Sequence, residues 1–369
     1  MAISDQEIES LEVPRYIVYG THAVEKLPEV CRRLGIQSVV VVSGPTKTRK
    51  IAQDMVIPLL EDNFDIESMS LRQINYQILE ELTESCKPKP GMRSAVVSVG
   101  GGTIFDPVKA ATSWANTHYI SIPTSSAHDG FASPYINFRL KILIKEVQEE
   151  KKWPPYVSHS PLALLGDVEI IKSQPMRMLA SGVGDCVSKF VALKDWELAH
   201  RIRGDRYDPY SAIYGLMSAE MVEQNLETIQ YGDEKGHKTV LKALGGSGVA
   251  MSIAGSSRPA SGSEHLISHS LDFLTLKHDI KCNATHGEQV GVASIICMFL
   301  HGGDRWKKIQ EILETIEAPT SFLTLGFDYD TVLEAILTAH TIRPRYTILG
   351  TGLTKAVAQN AIEVTGVCQ

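Results

Sequence analysis

The chain has 369 residues, 43% of them hydrophobic and 21% charged. That balance marks a folded globular protein and, at ~150 residues per domain, two domains. Its 43 acidic and 36 basic residues give a net charge of −7, spread evenly before and after Lys172, which disfavours a nucleic-acid-binding face, a basic arm or an acidic tail. Residues Met1–Ser10 carry Asp5, Glu7 and Glu9 with no Lys or Arg, unlike a secretory leader. The apolar run Val290–Leu300 is too short for a span of ~20 residues. Six scattered cysteines form no CxxC pair. The expectation is a cytoplasmic protein with reduced thiols and no membrane insertion.

In chain order, Ser38–Ser43 (SVVVVS) reads as a buried strand closed by a Gly-Pro turn, and Lys50–Asp62 as a helix-length segment interrupted by Pro58. Ser94–Val99 is a second β-branched run, ended by three glycines, and Asp106–Asn116 is the next helix. Tyr119–Pro123 and Leu162–Leu165 add strands. Continuous Val/Ile-rich strands between helices predict a parallel sheet covered on both faces. Arg139–Lys152, followed by Trp153-Pro154-Pro155, reads as a charged surface helix and turn. From about Ser173 the periodicity is helical: Val183–His200, Ser211–Ile229, Lys238–Ile253, Ser263–Leu276, Glu288–Leu300, Arg305–Glu317 and Tyr329–His340. An α/β domain over residues 1–172 therefore precedes an all-α domain over 173–369.

Gly100-Gly101-Gly102-Thr103 follows a strand and opens a helix, where glycines let a backbone approach a phosphate and free N–H groups face it. The motif is GGGTxxD rather than GxGxxG, and a tight strand–helix turn is the competing reading. Gly245-Gly246-Ser247-Gly248 sits between helical patterns and reads as close helix packing; Gly350-Thr351-Gly352 follows a short β-like run, Tyr346–Leu349. The loop Pro123–Gly130 leaves a strand end, where ligands of a parallel sheet gather. Its hydroxyls and amides suit a pyrophosphate or nicotinamide and Asp129 a substrate hydroxyl, against the alternative of an Asp-Gly turn with capping serines. After Ser43 come Gly44, Pro45, Thr46, Lys47, Thr48 and Arg49, with no acid to select a ribose 2′-hydroxyl. This favours acceptance of NADP as well as NAD.

In the helical half, His265 and His269 stand four apart, on one face of a helix. His286 follows in Thr285-His286-Gly287, and Asp185 lies in Gly182-Val183-Gly184-Asp185. One carboxylate and two imidazoles leave positions open for substrate on a catalytic zinc. The order is not HExxH, which counts against a zinc peptidase. Eight other histidines, at 22, 118, 159, 200, 237, 278, 301 and 340, lack such context and read as surface or hydrogen-bonded groups.

Five motifs occur in order: GGGTxxDxxK at 100–109, TSSAHDGxxSP at 124–134, ASGxGDxxxK at 180–189, SGSEHxxSH at 261–269 and THGEQVG at 285–291. Together they resemble archaeal glycerol-1-phosphate dehydrogenases, within the superfamily of glycerol dehydrogenase, iron-type alcohol dehydrogenases and dehydroquinate synthase. The resemblance covers nearly the whole chain. It implies a Rossmann-like N-terminal domain plus an all-α C-terminal domain, in the dehydroquinate synthase-like arrangement, with the active site in the cleft. It implies reduction of dihydroxyacetone phosphate to sn-glycerol 1-phosphate with NADH or NADPH, the step that sets the stereochemistry of archaeal ether-lipid backbones. Residue by residue it implies Zn2+ on Asp185, His265 and His286. Asp129, Asp185 and His269 take catalytic and substrate-binding positions. Gly102, Thr103, Ile104, Phe105, Asp106, Thr124, Ser125, Ser126, Ala127 and Ser133 take cofactor-binding positions. Arg258 or Lys189 is the expected cation for the substrate phosphate, and a homo-oligomer the expected assembly. Tyr135–Val157 is longer and more charged than the family pattern suggests. The rival readings are a glycerol dehydrogenase acting on an unphosphorylated polyol and a dehydroquinate synthase-like lyase, for whose substrate the cationic groups are not evident.

Overall fold

The computed structural model describes residues 11–137, 140 and 158–369. The expected surface helix and turn over 139–155 falls outside the described residues apart from Leu140. The N-terminal part is a six-stranded, wholly parallel sheet: β1 (Tyr16–Gly20), β2 (Ser38–Ser43), β3 (Asp65–Ser70), β4 (Ser94–Gly100), β5 (His118–Pro123) and β6 (Ala163–Asp167), in spatial order β1-β6-β5-β4-β2-β3. Strands β2 and β4 are buried over almost their full length, as their uninterrupted Val-rich runs predict. Helices α1 (Leu27–Arg33), α2 (Tyr76–Ser85) and α3 (Gly102–Ala115) belong to this part, and two separate apolar clusters line the sheet. Val39, Val41, Val97 and Ile120 belong to one cluster; Val40, Val42, Val96 and Tyr119 belong to the other.

Nine principal helices follow: α4 (Met176–Val187), α5 (Lys189–Arg203), α6 (Pro209–Gln224), α7 (Glu234–Ala254), α8 (Ser263–His278), α9 (His286–His301), α10 (Arg305–Thr315), α11 (Tyr329–Thr338) and α12 (Lys355–Thr365). One large apolar cluster joins them and reaches Phe105, Phe131 and Leu164 in the sheet part. The helix expected over Val183–His200 is two helices meeting at Ser188, whose hydroxyl donates to the Asp185 carbonyl at 2.7 Å. Around Pro58 the helical run passes through a π-helical turn over Ala52–Val56, a wider turn that absorbs the missing proline N–H. Tyr346–Leu349 is not a strand. Gly350 and Gly352 there adopt positive φ, +57° and +119°, in a turn against His340. The cluster Gly245–Gly248 is a packing surface within α7: a Cβ on Gly245 would lie 1.7 Å from the Tyr19 hydroxyl, and one on Gly248 would meet Ala132.

Candidate active site

The site lies where β4 and β5 end against α4, α8 and α9. Strand β4 runs into Gly101 and Gly102, and the carbonyl of Gly101 receives the amides of Ile104 and Phe105 to start α3. A Cβ on Gly102 would sit 2.6 Å from His128 Nε2, so glycine here leaves room for the His128 ring against the helix start. A cavity of about 570 Å³ opens here, with Gly102, Thr103, Phe105, Asp106, Ser125, Ala127, His128 and His286 among its lining residues. Six of the ten expected cofactor positions are therefore on its wall. Ile104, Thr124, Ser126 and Ser133 are not: Ile104 joins the sheet core, and Ser126 and Ser133 are buried. Ser126 receives the Gln174 side-chain amide at 2.7 Å, and Ser133 accepts the Tyr135 N–H at 2.9 Å.

After Ser43 the chain turns through Gly44, whose amide donates to Thr48 Oγ1 at 2.8 Å and whose carbonyl accepts from Ser70 Oγ at 3.0 Å. No acid stands in this turn, in agreement with the sequence reading.

Across the cleft, Asp185, His265 and His286 bring one donor atom each to within 4.8 Å of one another. Three helices supply them, and glycine contacts set the approach. A Cβ on Gly184 would lie 2.3 Å from the Gly287 carbonyl oxygen, and one on Gly287 would lie 1.9 Å from that of Ser181. Helix α4 therefore meets the first turn of α9 backbone to backbone, which draws Asp185 toward His286. That first turn is fixed by a capping box: Thr285 Oγ1 accepts the Glu288 N–H, and Glu288 Oε2 accepts the Thr285 N–H at 2.7 Å. Arg177 clamps Glu288 from outside with bonds of 2.6 and 2.7 Å.

The donor set suits a divalent ion. His265 Nδ1 is 2.7 Å from Glu264 Oε1, and His286 Nδ1 is 3.4 Å from Ser268 Oγ, so each ring has its Nδ1 side engaged and its Nε2 left for a metal. Burial and the neighbouring His265 and His128 rings press the His286 pKa far below its ordinary value, which keeps that imidazole neutral and ready to coordinate. One carboxylate and two imidazoles are the donor set of a three-ligand zinc site that would keep a position open.

Lys189 is wholly buried, with Nζ 2.8 Å from Asp185 Oδ1 and 3.0 Å from Asp129 Oδ2. Burial pulls the ammonium pKa down, but the two carboxylates outweigh it and keep Lys189 charged. Burial would likewise raise Asp129; the Lys189 charge and the 2.6 Å bond from Ser247 Oγ prevail and hold it at about 2. The Asp129 amide donates to Asp185 Oδ2 at 2.8 Å. Asp129 is thus tied to the metal triad by backbone and side chain, and the expectation of Lys189 as the phosphate cation is corrected: its charge is spent on two aspartates. Arg258 is likewise held, by Asp205 and by the Tyr346 carbonyl at 2.8 Å.

His269 lies one turn beyond His265, their ring centres 6.2 Å apart, and its ring stacks on His286 at 5.8 Å and 17°. Its Nε2 is 2.8 Å from Arg343 Nη2. A guanidinium only donates, so Nε2 accepts, and the neutral ring carries its proton on Nδ1. Burial, then Arg343, presses the His269 pKa far below its usual value. Two participants escaped the sequence reading. His128 stands edge-on to His286 at 6.0 Å and lines the cavity; its position inside the Ser-Ala-His-Asp-Gly loop was the available signal. Arg343 carried no signal in any motif.

The N-terminal part, residues 18–175, matches the iron-containing alcohol dehydrogenase family model. The chain is 43% identical over 360 residues to glycerol-1-phosphate dehydrogenase [NAD(P)+] of Pyrococcus furiosus, covering 97% of this chain and 99% of that one. It is 37% identical to the protein of that name from Methanobrevibacter smithii, over 97% of this chain and 98% of the relative. Among solved structures, glycerol dehydrogenase from Schizosaccharomyces pombe superposes with a TM-score of 0.75 at 18% identity, over 97% and 90% of the two chains. Sulfoacetaldehyde reductase from Bifidobacterium kashiwanohense, solved in complex with NAD+, gives 0.71 at 14%, over 98% and 100%. With its parallel sheet, its helical region and near full-length identity of this order, the chain belongs to the glycerol-1-phosphate dehydrogenase [NAD(P)+] family of the iron-containing alcohol dehydrogenase fold.

Proposed function

We propose that this chain reduces dihydroxyacetone phosphate to sn-glycerol 1-phosphate with NADH or NADPH, at a zinc site formed by Asp185, His265 and His286. The observation that carries the reading is the convergence of those three donor atoms beside a cavity at the start of α3. The boundary between cofactor-binding and metal-binding parts is drawn at Lys172.

When bound, zinc supplies Lewis acidity to a ketone oxygen, and the dinucleotide supplies a hydride. The rest falls to the chain. Free amides at the Gly102 helix start face a pyrophosphate, and Ser125 and Ala127 line the wall beside it. Lys189 keeps Asp129 ionised and holds both the Asp129 and Asp185 carboxylates in place, so the site is preorganised. Asp129 accepts a substrate hydroxyl, and His269 orients the substrate, its tautomer set by Arg343. Water would supply the proton that completes the new hydroxyl, with His269 Nδ1–H placed to orient it. The absence of an acid after Ser43 supports use of both dinucleotides.

No described helix is long and apolar enough to cross a membrane, and all six cysteines are free, which supports a cytoplasmic enzyme. Tyr210, Ile213 and Met217 are exposed apolar residues on α6, a surface that suits contact with a second copy in a homo-oligomer.

The test follows absorbance at 340 nm with NADH or NADPH and either dihydroxyacetone phosphate or dihydroxyacetone, with chiral analysis of the product. Selective consumption of the phosphorylated ketone and the sn-1 product are expected. Equal kcat/KM on both ketones overturns the phosphate-specific reading, and full metal content and activity in H286A overturns the metal site.

A further inference from the structure

We propose that Arg343 and Arg345 hold the substrate phosphate, with the hydroxyls of Ser257 and Ser261 completing the cradle. The inference rests on the reading of the substrate as a phosphorylated triose. Its starting point is position. Arg343 Nη2 is 2.8 Å from His269 Nε2, and His269 is one helical turn from the metal ligand His265. A guanidinium therefore stands one imidazole away from the metal ligands His265 and His286, on the side where His269 meets the substrate.

The local chain aims two arginines together. The Arg345 N–H donates to the Arg343 carbonyl at 2.7 Å, an i to i+2 turn centred on Pro344, whose ring fixes the φ such a turn needs. Arg345 reaches inward to the Ser261 carbonyl and to Ser257 Oγ, the latter at 2.7 Å. Both partners are neutral. Removal from water, then the like charges of Arg343 and Arg258, press the Arg345 guanidinium down to about 9, while Glu264 and Tyr135 oppose this more weakly. A guanidinium does not give up its proton at neutral pH, so Arg345 keeps its charge against neutral partners, a setting that suits an anion. Ser261 Oγ is buried with no hydrogen-bond partner among the described residues, a donor left over beside Arg345. Arg258, held by Asp205, adds field without being free to move.

The cradle is also preorganised. Buried Asp195 accepts the Ser263 N–H through Oδ2 and the Ile348 N–H through Oδ1, both at 2.6 Å. One carboxylate thus pins the serine loop and the arginine turn to each other.

The experiment compares wild-type, R343Q, R345Q and R345K enzymes, all metal-loaded. Kinetics are measured on dihydroxyacetone phosphate and dihydroxyacetone, and inorganic phosphate is titrated calorimetrically. Loss of a charged phosphate contact predicts a tenfold to hundredfold rise in KM for the phosphorylated ketone, a smaller change in kcat, and a collapse of the preference between the ketones. R345K recovers part of the loss, because lysine keeps the charge but not the fork. Phosphate binding, read without turnover, weakens in both glutamine variants. A wild type that prefers the phosphorylated ketone while R343Q and R345Q keep that preference and bind phosphate normally overturns the cradle and leaves the function standing. A wild type with no preference overturns the function reading and the cradle with it.

Discussion

Replacing Lys189 with methionine tests whether this ammonium holds the site together. Its Nζ is the cation common to Asp129 and Asp185, at 3.0 and 2.8 Å, and lysine and Asp185 are fully buried. Methionine keeps the stem's volume and removes the charge. Two carboxylates are then left facing each other with little water, and breaking a buried pair in this way costs about 3–5 kcal/mol. At a slope near 3 kcal/mol per molar urea, that is a midpoint shift of about 1–2 M. The cost depends on metal. In chelator both carboxylates lack a counter-charge, whereas with saturating zinc Asp185 regains one, and the loss should fall to roughly half. Urea unfolding of K189M and wild type, each with zinc and with chelator, gives the four midpoints. Equal losses in the two conditions, or a metal-free loss under about 1 kcal/mol, refutes the reasoning. Should metal-free K189M fail to fold, the zinc-loaded pair still reports whether the ion restores stability.

Gly184→Ala drives a methyl to 2.3 Å from the Gly287 carbonyl oxygen, where backbone must shift, so a loss of about 1–3 kcal/mol and weaker zinc binding in a chelator competition are expected. Gly246→Ala in α7 meets only the Ser218 hydroxyl at 3.3 Å; it should be neutral or stabilising by up to about 1 kcal/mol, and a loss as large as that of G184A would sink the packing argument. Burial pushes Cys31 and Cys86 up to about 12, so at pH 8 iodoacetamide should label them about a thousandfold more slowly in the folded protein than in urea. Peptide mass spectrometry reads the labelling, and rapid modification of either thiol in the native state contradicts the core described above.

The sheet's centre was legible because β2 and β4 are buried on both faces and their sequences show it as unbroken valine-rich runs. The outer strands were not. β3, with the sequence DIESMS, lies at the sheet edge with half of its positions exposed, and a polar edge strand carries no apolar signature. β1 is short and only half-buried, and its pairing with β6 spans well over a hundred residues of sequence. The metal triad could be found because histidine and aspartate are scarce beside glycine, and the i, i+4 spacing puts His265 and His269 on one face. Lys189 stood out as a cation for the substrate phosphate, but its pairing with Asp129 depends on a loop sixty positions earlier in the chain, which spacing does not show. Arg343 and Arg345 lie outside every motif and matter only because a turn at Pro344 and the carboxylate of Asp195 bring them to α8.

The loop after β5 explains why the site can sit at the junction of the two parts and still hold its spacing. Hydride transfer requires the dinucleotide and the polarised carbonyl at a fixed separation. Ser125, Ala127 and His128 line the cavity, and their loop is also fastened to α4 and the turn before it at several points. Ser126 is bonded to Gln174 by amide and hydroxyl at 2.9 and 2.7 Å, the Ala127 carbonyl receives Ser181 Oγ at 2.9 Å, and the Asp129 amide meets Asp185 at 2.8 Å. Gly182 permits this closeness, because a Cβ there would lie 2.0 Å from the Ser126 carbonyl oxygen. A shift of α4 therefore carries the loop with it, and the metal ligand and the cofactor wall move together. Lys109 secures the other side of the same loop, its buried ammonium donating to the carbonyls of Gly130 and Tyr135 at 2.5 and 2.9 Å. Burial of two lysines in one site is costly in isolation. Here each is matched to oxygens on the segment that must stay fixed: Lys109 to carbonyls at the loop's end, Lys189 to the carboxylates that join loop and metal.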